Sequence, residues 1–341
     1  KAFKEYFTAL GVLCVAAMLA VGTHSTHFMM TYQYSDSSTR GESELTDTTG
    51  MKTSGLDKDY ITDWSYGVAE SWTLLIPKFM GGASTGALDV DSEVYEVLKD
   101  RGIQNARKII SQVPIYWGEQ PMQSGPVYLG AIMCFLFVLG LLIVKGPVKW
   151  WLLSATILSI VLAWGKNFPE FFSSNVDGVI HNPITDFFLD NVPMYDKFRV
   201  VSTMLIIAQF TVPLLGILAL KEIFQSKISK AELEKKIKIS LGIVGGICLV
   251  FALMPGSFFE FTSATSENIL VNRYKWPPFL IEALEVDRKS ILQGDALRSL
   301  IFIFITAGGL WLYVKGKVTT KILFPLLIAL IFFDLVLVGK E

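Results

Sequence analysis

The chain is short of the residues that build the commoner kinds of active centre. Among 341 residues there are three cysteines and three histidines. Cys14, Cys134 and Cys248 each sit inside an apolar run, so they read as small core residues rather than disulfide partners, ligands or nucleophiles. His24 and His27 have the i, i+3 spacing that lets two imidazoles share a metal, but no third ligand is evident, and no metal site is expected. There is no glycine-rich phosphate loop, no Cys/His cluster and no nucleophile elbow, and with them go the classes those motifs define. No internal repeat stands out, and neither does a matched pair of Gly/Pro-broken helices of the kind that marks many transporters. The formal net charge of −1 carries no information as a total, and no nucleic-acid partner is expected.

What the chain has instead is apolar length. Hydrophobic residues make up 52 % of it and aromatics 13 %, a balance rare in a soluble domain. Seven runs approach the roughly 20 residues a membrane-crossing helix needs: 7–23, 127–144, 149–164, 200–220, 239–259, 299–314 and 322–338. Their connections alternate. One set is short and basic (Lys1 and Lys4, 145–149, 221–238 and 315–321), with 13 lysines against 4 acids. The other is long and acidic, residues 24–126, 165–199 and 256–298. The positive-inside rule puts the short loops in the cytoplasm and the long ones outside. The expected fold is an all-α polytopic membrane protein of about seven transmembrane helices, with a large extracytoplasmic loop region carrying interfacial helices. Its divisions are a helix over 1–23, a loop domain over 24–126, hairpins over 127–164, 200–259 and 299–338, and outer loops over 165–199 and 260–298. Lys1 without an initiator Met, and the end just after a hydrophobic run, read as a piece of a longer protein.

Within the first long loop, Asp57 to Gly82 packs acids and aromatics together. A helix capped at Thr62 or Asp63 puts Asp63, Tyr66 and Glu70 on one face and Trp64, Val68, Trp72 and Leu75 on the other, and Pro77 stops it at Ile76. Such a helix suits a membrane surface above a polar cavity, or simply packs a loop down. Residues 91–111 read as a second amphipathic helix. Tyr116, Trp117 and Gln120 then lead into the next apolar run, the rings being interfacial anchors or cavity walls. In the second loop, Lys197 and Arg199 stand against the charge bias. They either pair with Asp190 or Asp196 or hold an anionic headgroup. Residues 287–298 read as an interfacial helix, and Asp334 as reaching the interface from near a helix end.

A succession of motifs carries a resemblance. Ser38-Thr-Arg-Gly-Glu-Ser-Glu-Leu-Thr46, Asp59-Tyr-Ile-Thr-Asp-Trp-Ser-Tyr-Gly67, Leu75-Ile-Pro-Lys-Phe-Met-Gly-Gly82, Tyr116-Trp-Gly-Glu-Gln-Pro121, Ser124-Gly-Pro-Val-Tyr128 and Tyr195-Asp-Lys-Phe-Arg199 resemble, in the same order, the bacterial YfhO-like membrane proteins, particularly those of Bacteroidetes. Trp64-Ser-Tyr-Gly67 is also similar to the Trp-Trp-Asp-Tyr-Gly motif of oligosaccharyltransferases, with Ser65 where that motif has its aspartate. The resemblance implies a GT-C-like glycosyltransferase of the bacterial inner membrane, long loops on the periplasmic side. Such an enzyme transfers sugar from a polyprenyl-phosphate carrier to an envelope glycan or glycolipid acceptor, with membrane lipid around it. It names no particular cofactor and leaves that assignment open, and it places the catalytic acid in a first outer loop upstream of Lys1, so no catalytic residue is assigned here. The substrate-binding candidates are Lys197 and Arg199 for phosphate, with Asp63, Trp64, Tyr66, Glu70, Trp117 and Gln120 as cavity wall. A transporter or flippase of lipid-linked sugars, or a non-catalytic envelope-assembly protein, is the competing reading.

Overall fold

The computed structural model describes residues 2–38, 58–169, 171, 174–176, 179–192, 195, 199–225 and 228–339. Two compact units divide the chain, Lys1–Thr62 with Phe187–Arg199, and Asp63–Asp186 with Val200–Glu341. In chain order the helices are α1 (Ala2–Thr23), α2 (Ser25–Asp36), α3 (Lys58–Ile61), α4 (Glu93–Asp100), α5 (Ala106–Ile110), α6 (Ala131–Ile143), α7 (Val148–Ala163), α8 (Pro183–Asn191), α9 (Leu205–Gln225), α10 (Lys230–Ser240), α11 (Gly246–Leu253), α12 (Ala264–Asn268), α13 (Pro278–Val314) and α14 (Thr320–Gly339). Among the described residues the only sheet is an antiparallel hairpin of β1 (Ser174–Val176) and β2 (Val179–His181), with Ser174 opposite His181. The described residues are otherwise helices and irregular connections.

Four helices among the described residues are long and apolar enough to cross a membrane: Val201–Gln225, Lys230–Leu253, Pro278–Val314 and Thr320–Gly339. A fifth is added if α1 and α2, bent by 67° at His24, form one span. The sequence predicts seven. The difference lies in α6 and α7, of 13 and 16 residues. At 1.5 Å per residue they reach about 20 and 24 Å, short of a hydrocarbon core of ~30 Å. Gly146, in the left-handed region at φ 87°, and Pro147 clip the connection between them.

Other boundaries also move. The expected helix from 62 to 76 is instead α3, a turn and a 3₁₀ segment, Ala69–Leu74. Its backbone groups go elsewhere: Tyr66 N–H donates to the Ala163 carbonyl, and the Leu74 carbonyl accepts from Leu129 N–H. The expected helix over 91–111 breaks into α4 and α5 at Gly102, which sits at φ 70°. The basic connection expected over 221–238 is mostly helix, the tail of α9 and the start of α10. Residues 287–298 are no separate interfacial helix but part of the 37-residue α13.

Small residues let the apolar helices of the second unit meet. A methyl at Gly140 of α6 would come within 2.8 Å of the Leu215 carbonyl on α9, so only glycine permits that approach. Hydroxyls bridge neighbouring helices: Thr156 Oγ1 of α7 lies 2.7 Å from Thr211 Oγ1 of α9, and Ser240 of α10 donates to the Phe135 carbonyl of α6. Outward faces are apolar and exposed, with Ile206, Phe210 and Ile217 on α9 and Phe324, Ile328 and Phe332 on α14. Surfaces of that extent ask for lipid or protein cover rather than water.

The helix ends sort into two groups. The start of α6, the end of α7 and the start of α9 gather beside residues 64–74 through the Leu129–Leu74, Tyr66–Ala163 and Ser202–Trp64 backbone bonds. At the other end, Glu234 of α10 pairs with Lys315 just beyond α13 at 2.7 Å, and Phe224 of α9 meets Tyr313 of α13 edge-on. Antiparallel helices with short loops at that second end produce this sorting.

α13 runs the length of the unit, and its buried stripe changes character along the way. Asp287 accepts from Glu93 and Val94 N–H at 2.8 and 2.9 Å, capping α4 beside that helix's own Ser92 cap. Asp295 accepts from Lys78 N–H at 2.7 Å, and Ser299 donates to the Leu75 carbonyl. From Leu300 onward the stripe is Ile303, Thr306, Ala307 and Leu310, packed into the core.

Asp334 is buried, not at an interface, and here the structure corrects the sequence reading. Its carboxylate takes Arg298 Nη1 at 2.9 Å, Tyr128 O–H at 2.7 Å and Ala131 N–H at 3.0 Å, so it joins α13, α14 and the first turn of α6. Arg298 also binds Asp295 at 2.7 Å. A charge held among apolar helices needs such partners. Asp334→Leu is expected to destabilise the protein by about 3–5 kcal/mol, as breaking a buried pair does. Arg298→Met added to it should recover part of that loss. Thermal unfolding of the two single variants and the double variant measures the coupling, and strict additivity would mean that the pair does not act as one.

Candidate functional site

A cavity of about 640 Å³ opens in the second unit. One wall is Trp64 and Tyr66, a second is the segment from Pro114 to Val127, and the third is the π turn Ile269–Arg273 with Tyr274. Val200 and Ser202, at the entry to α9, complete it. Val200 holds φ 80°, a conformation that costs a β-branched residue free energy and that persists only where surroundings dictate it. Among the described residues the lining contains aromatic rings, amides, hydroxyls and the Arg273 guanidinium, but no carboxylate and no lysine.

Behind the wall lies Glu70, fully buried. Its carboxylate accepts from Gly67 N–H at 3.0 Å, from Tyr116 O–H at 2.7 Å and from Gln120 Nε2 at 2.8 Å. Tyr116 Oη in turn accepts from Gln120 N–H at 3.0 Å. Gln120 Nε2 also reaches Gln123 Oε1, while Gln123 Nε2 donates to the Gly82 carbonyl and Gln123 N–H to Ser84. Every one of these amides is therefore oriented by its neighbours. Burial pushes the Glu70 carboxyl above its ordinary range, and the Gly67, Tyr116 and Gln120 donors draw it part of the way back. Burial, followed by the Glu70 charge, pushes Tyr66 up to about 12 and raises Tyr116 as well.

Arg288 fastens two of the walls together. This guanidinium is entirely buried, and it donates to the carbonyls of Pro114 (2.9 Å), Ile115 (3.1 Å), Tyr116 (3.0 Å) and Phe261 (2.9 Å) and to Ser266 Oγ (2.9 Å). Pro114, Tyr116 and Ser266 all line the cavity. None of the five acceptors is a carboxylate. The fixed fork of an arginine serves this purpose better than a lysine, because five donors leave in set directions.

The residues singled out from sequence fall in different places. Trp64, Tyr66 and Gln120 line the cavity, and Glu70 orients two of its side chains from behind. Asp63 lies outside it, half-exposed, with Lys166 Nζ at 3.3 Å. Trp117 points elsewhere and packs on Phe259 and Phe261 at 5.8 and 5.5 Å between ring centroids; its indole N–H meets no acceptor among the described residues. Tyr116 and Trp117 are both buried, so neither is an interfacial anchor. Arg199 belongs to the first unit, where it donates to Tyr60 O–H at 2.7 Å. Lys197 and most of the motif from Ser38 to Thr46 lie outside the described residues. Gln123, Arg273 and Arg288 were not foreseen as site residues. For Arg288 a signal existed, since it stands between Leu284 and Leu292 at i−4 and i+4, in the middle of an apolar stripe.

Compared with known proteins, the chain matches no family model, no curated protein and no solved structure. Fold and site define a largely helical protein with helices long and apolar enough to cross a membrane, and a polar cavity at one set of helix ends whose lining holds no acid among the described residues.

The raised Glu70 carboxyl has a measurable sign. The folded chain holds this proton more tightly than the unfolded one, so folding takes up a proton in the interval above the ordinary carboxylate value of 4.5. Glu70's share of stability is therefore greatest at acid pH and falls as pH rises through that interval. Glu70→Gln should flatten the slope and, by turning a donor toward Tyr116 and Gln120, cost about 1–3 kcal/mol. Unfolding midpoints measured across pH for both proteins provide the check; an unchanged slope would rule out a buried, raised carboxyl.

Proposed function

We propose that this chain is part of a GT-C-like, YfhO-like glycosyltransferase that handles sugar on a polyprenyl-phosphate carrier, and that the 640 Å³ cavity holds the sugar. The observation that carries the reading is the chemistry of the lining. Trp64, Tyr66, Tyr116 and Tyr274 offer ring faces for C–H edges, while Gln120, Ser84 and Ser124 sit where hydroxyls are read. Ordered amides in a half-enclosed site discriminate polar ligands because an unmet buried partner is costly. The acid-free lining agrees with a catalytic carboxylate supplied from outside this segment, as the resemblance implies. A transporter needs a path through the helices, and the cavity lies at one set of helix ends.

In this reading seven spans cross the membrane, α6 and α7 as short ones, with the cavity on the extracytoplasmic side. Polyprenyl lipid then reaches the cavity along the exposed apolar faces of α9 and α14. The basic stretches 145–149, 221–238 and 315–321 stay in the cytoplasm.

Two measurements test this. In a background without Cys14, Cys134 and Cys248, Ser111→Cys should react with an impermeant thiol reagent in intact cells and Thr319→Cys only after lysis; the reverse pattern overturns the topology. Sugar transfer from a radiolabelled polyprenyl-phosphate sugar, assayed with the full-length protein, should fall at least tenfold on Gln120→Leu, the cost of one lost buried hydrogen bond to substrate being about 1.5 kcal/mol or more. Undiminished transfer would remove the cavity from the reaction.

A further inference from the structure

The cavity carries one formal charge. Arg273 closes the π turn at its mouth, next to Tyr274, whose ring centroid lies 6.0 Å from the guanidinium carbon. Its charge meets no acid and its N–H groups meet no acceptor among the described residues, in contrast to Arg288 and Arg298, each of whose guanidinium nitrogens donates to a neighbour. With no carboxylate or lysine in the lining among the described residues, that charge has no counter-charge there. A guanidinium so placed favours a carboxylate or phosphate, to which it fits in bidentate fashion.

Gln120 sets a second requirement. The Glu70 carboxylate and Gln123 Oε1 take both protons of its amide nitrogen, and the direction of the amide follows from those two acceptors. What remains of this cavity-lining side chain without a partner among the described residues is the amide oxygen, an acceptor. A ligand hydroxyl meets it; a ligand carbonyl or ether does not.

We infer that the cavity selects a saccharide bearing one anionic substituent, with Arg273 taking the anion and Gln120 Oε1 accepting from a sugar hydroxyl. This rests on the sugar-binding reading above and adds charge selection to it. A uronic-acid carboxylate and a sugar phosphate share the required chemistry. Arg273 and Gln120 are then specificity-determining residues, and Glu70 is a positioning residue that keeps Gln120's oxygen turned to the ligand.

The test is binding of glucose, glucuronate, glucose 1-phosphate and inorganic phosphate to the purified full chain in nanodiscs, by titration calorimetry. At least one of the two anionic sugars should bind about tenfold or more tightly than glucose, as a charge-assisted contact predicts, and the advantage should shrink as salt screens the exposed guanidinium. Arg273→Gln, at an exposed position where folding is not at risk, should abolish the advantage, so that the anionic sugars bind this variant no more tightly than glucose does. Gln120→Leu should weaken all three sugars and spare inorganic phosphate. Equal affinity for glucose and both anionic sugars, or an advantage that survives Arg273→Gln, overturns the charge assignment while the sugar reading stands. Inorganic phosphate binding as tightly as glucose 1-phosphate and indifferent to Gln120→Leu, or no binding of any sugar, overturns both. Whichever anionic sugar binds more tightly identifies the source of the charge.

Discussion

One buried guanidinium decides where the cavity walls stand. Arg288 has left water without a carboxylate to meet it, which is tolerable only because four carbonyls and a hydroxyl converge on its donors. The requirement is mutual. The run from Pro114 to Tyr116 makes little regular structure of its own, apart from a bridge of its neighbour Val113 to Gly86, and its carbonyls need donors just as Arg288 needs acceptors. Remove the guanidinium and three consecutive carbonyls are left buried and unpaired, together with Phe261, itself in the left-handed region.

Around this anchor the rest of α13 repeats one device at successive turns. Asp287, Arg288, Asp295, Arg298 and Ser299 each reach a backbone group or charge on a different segment, separated in sequence by as much as 224 residues. Irregular chain can sit against apolar helices only if its polar backbone is satisfied, and α13 supplies the partners. Glu70 does the same for the opposite wall. Its carboxylate is the acceptor toward which Tyr116 and Gln120 are turned, so the two walls share Tyr116, whose carbonyl goes to Arg288 and whose hydroxyl goes to Glu70.

This explains which parts of the architecture were legible in the sequence. Long uncharged runs are a local property, and α9, α11, the second half of α13 and α14 stand where those runs lie. The start of α10 was misread because Lys230 to Lys238 looks like a basic loop. It is nevertheless helical, opened by a Ser229 cap and held by the pairing of Glu234 with Lys238 and Lys315. Periodicity put Tyr66 and Glu70 on the same side of their segment, and both are buried, but the helix it implied does not form. Its backbone is claimed by Ala163 and Leu129, partners far away in the sequence that no local pattern displays. Asp334 was misjudged for the same reason: it looks like a lone acid near a helix end until Arg298 is brought beside it.

The length of α13 has a mechanical consequence. Its 37 residues form a rod of about 55 Å, nearly twice the thickness of a bilayer's hydrocarbon core at ~30 Å. Its apolar half is anchored among α9, α11 and α14, while its polar half carries the fastenings of residues 78, 93–94, 114–116 and 261. A thinner or thicker bilayer makes such a rod lean. Because each fastening is a short hydrogen bond to the rod itself, any lean of the rod is passed on as a common swing of those segments, the cavity wall at 114–116 among them.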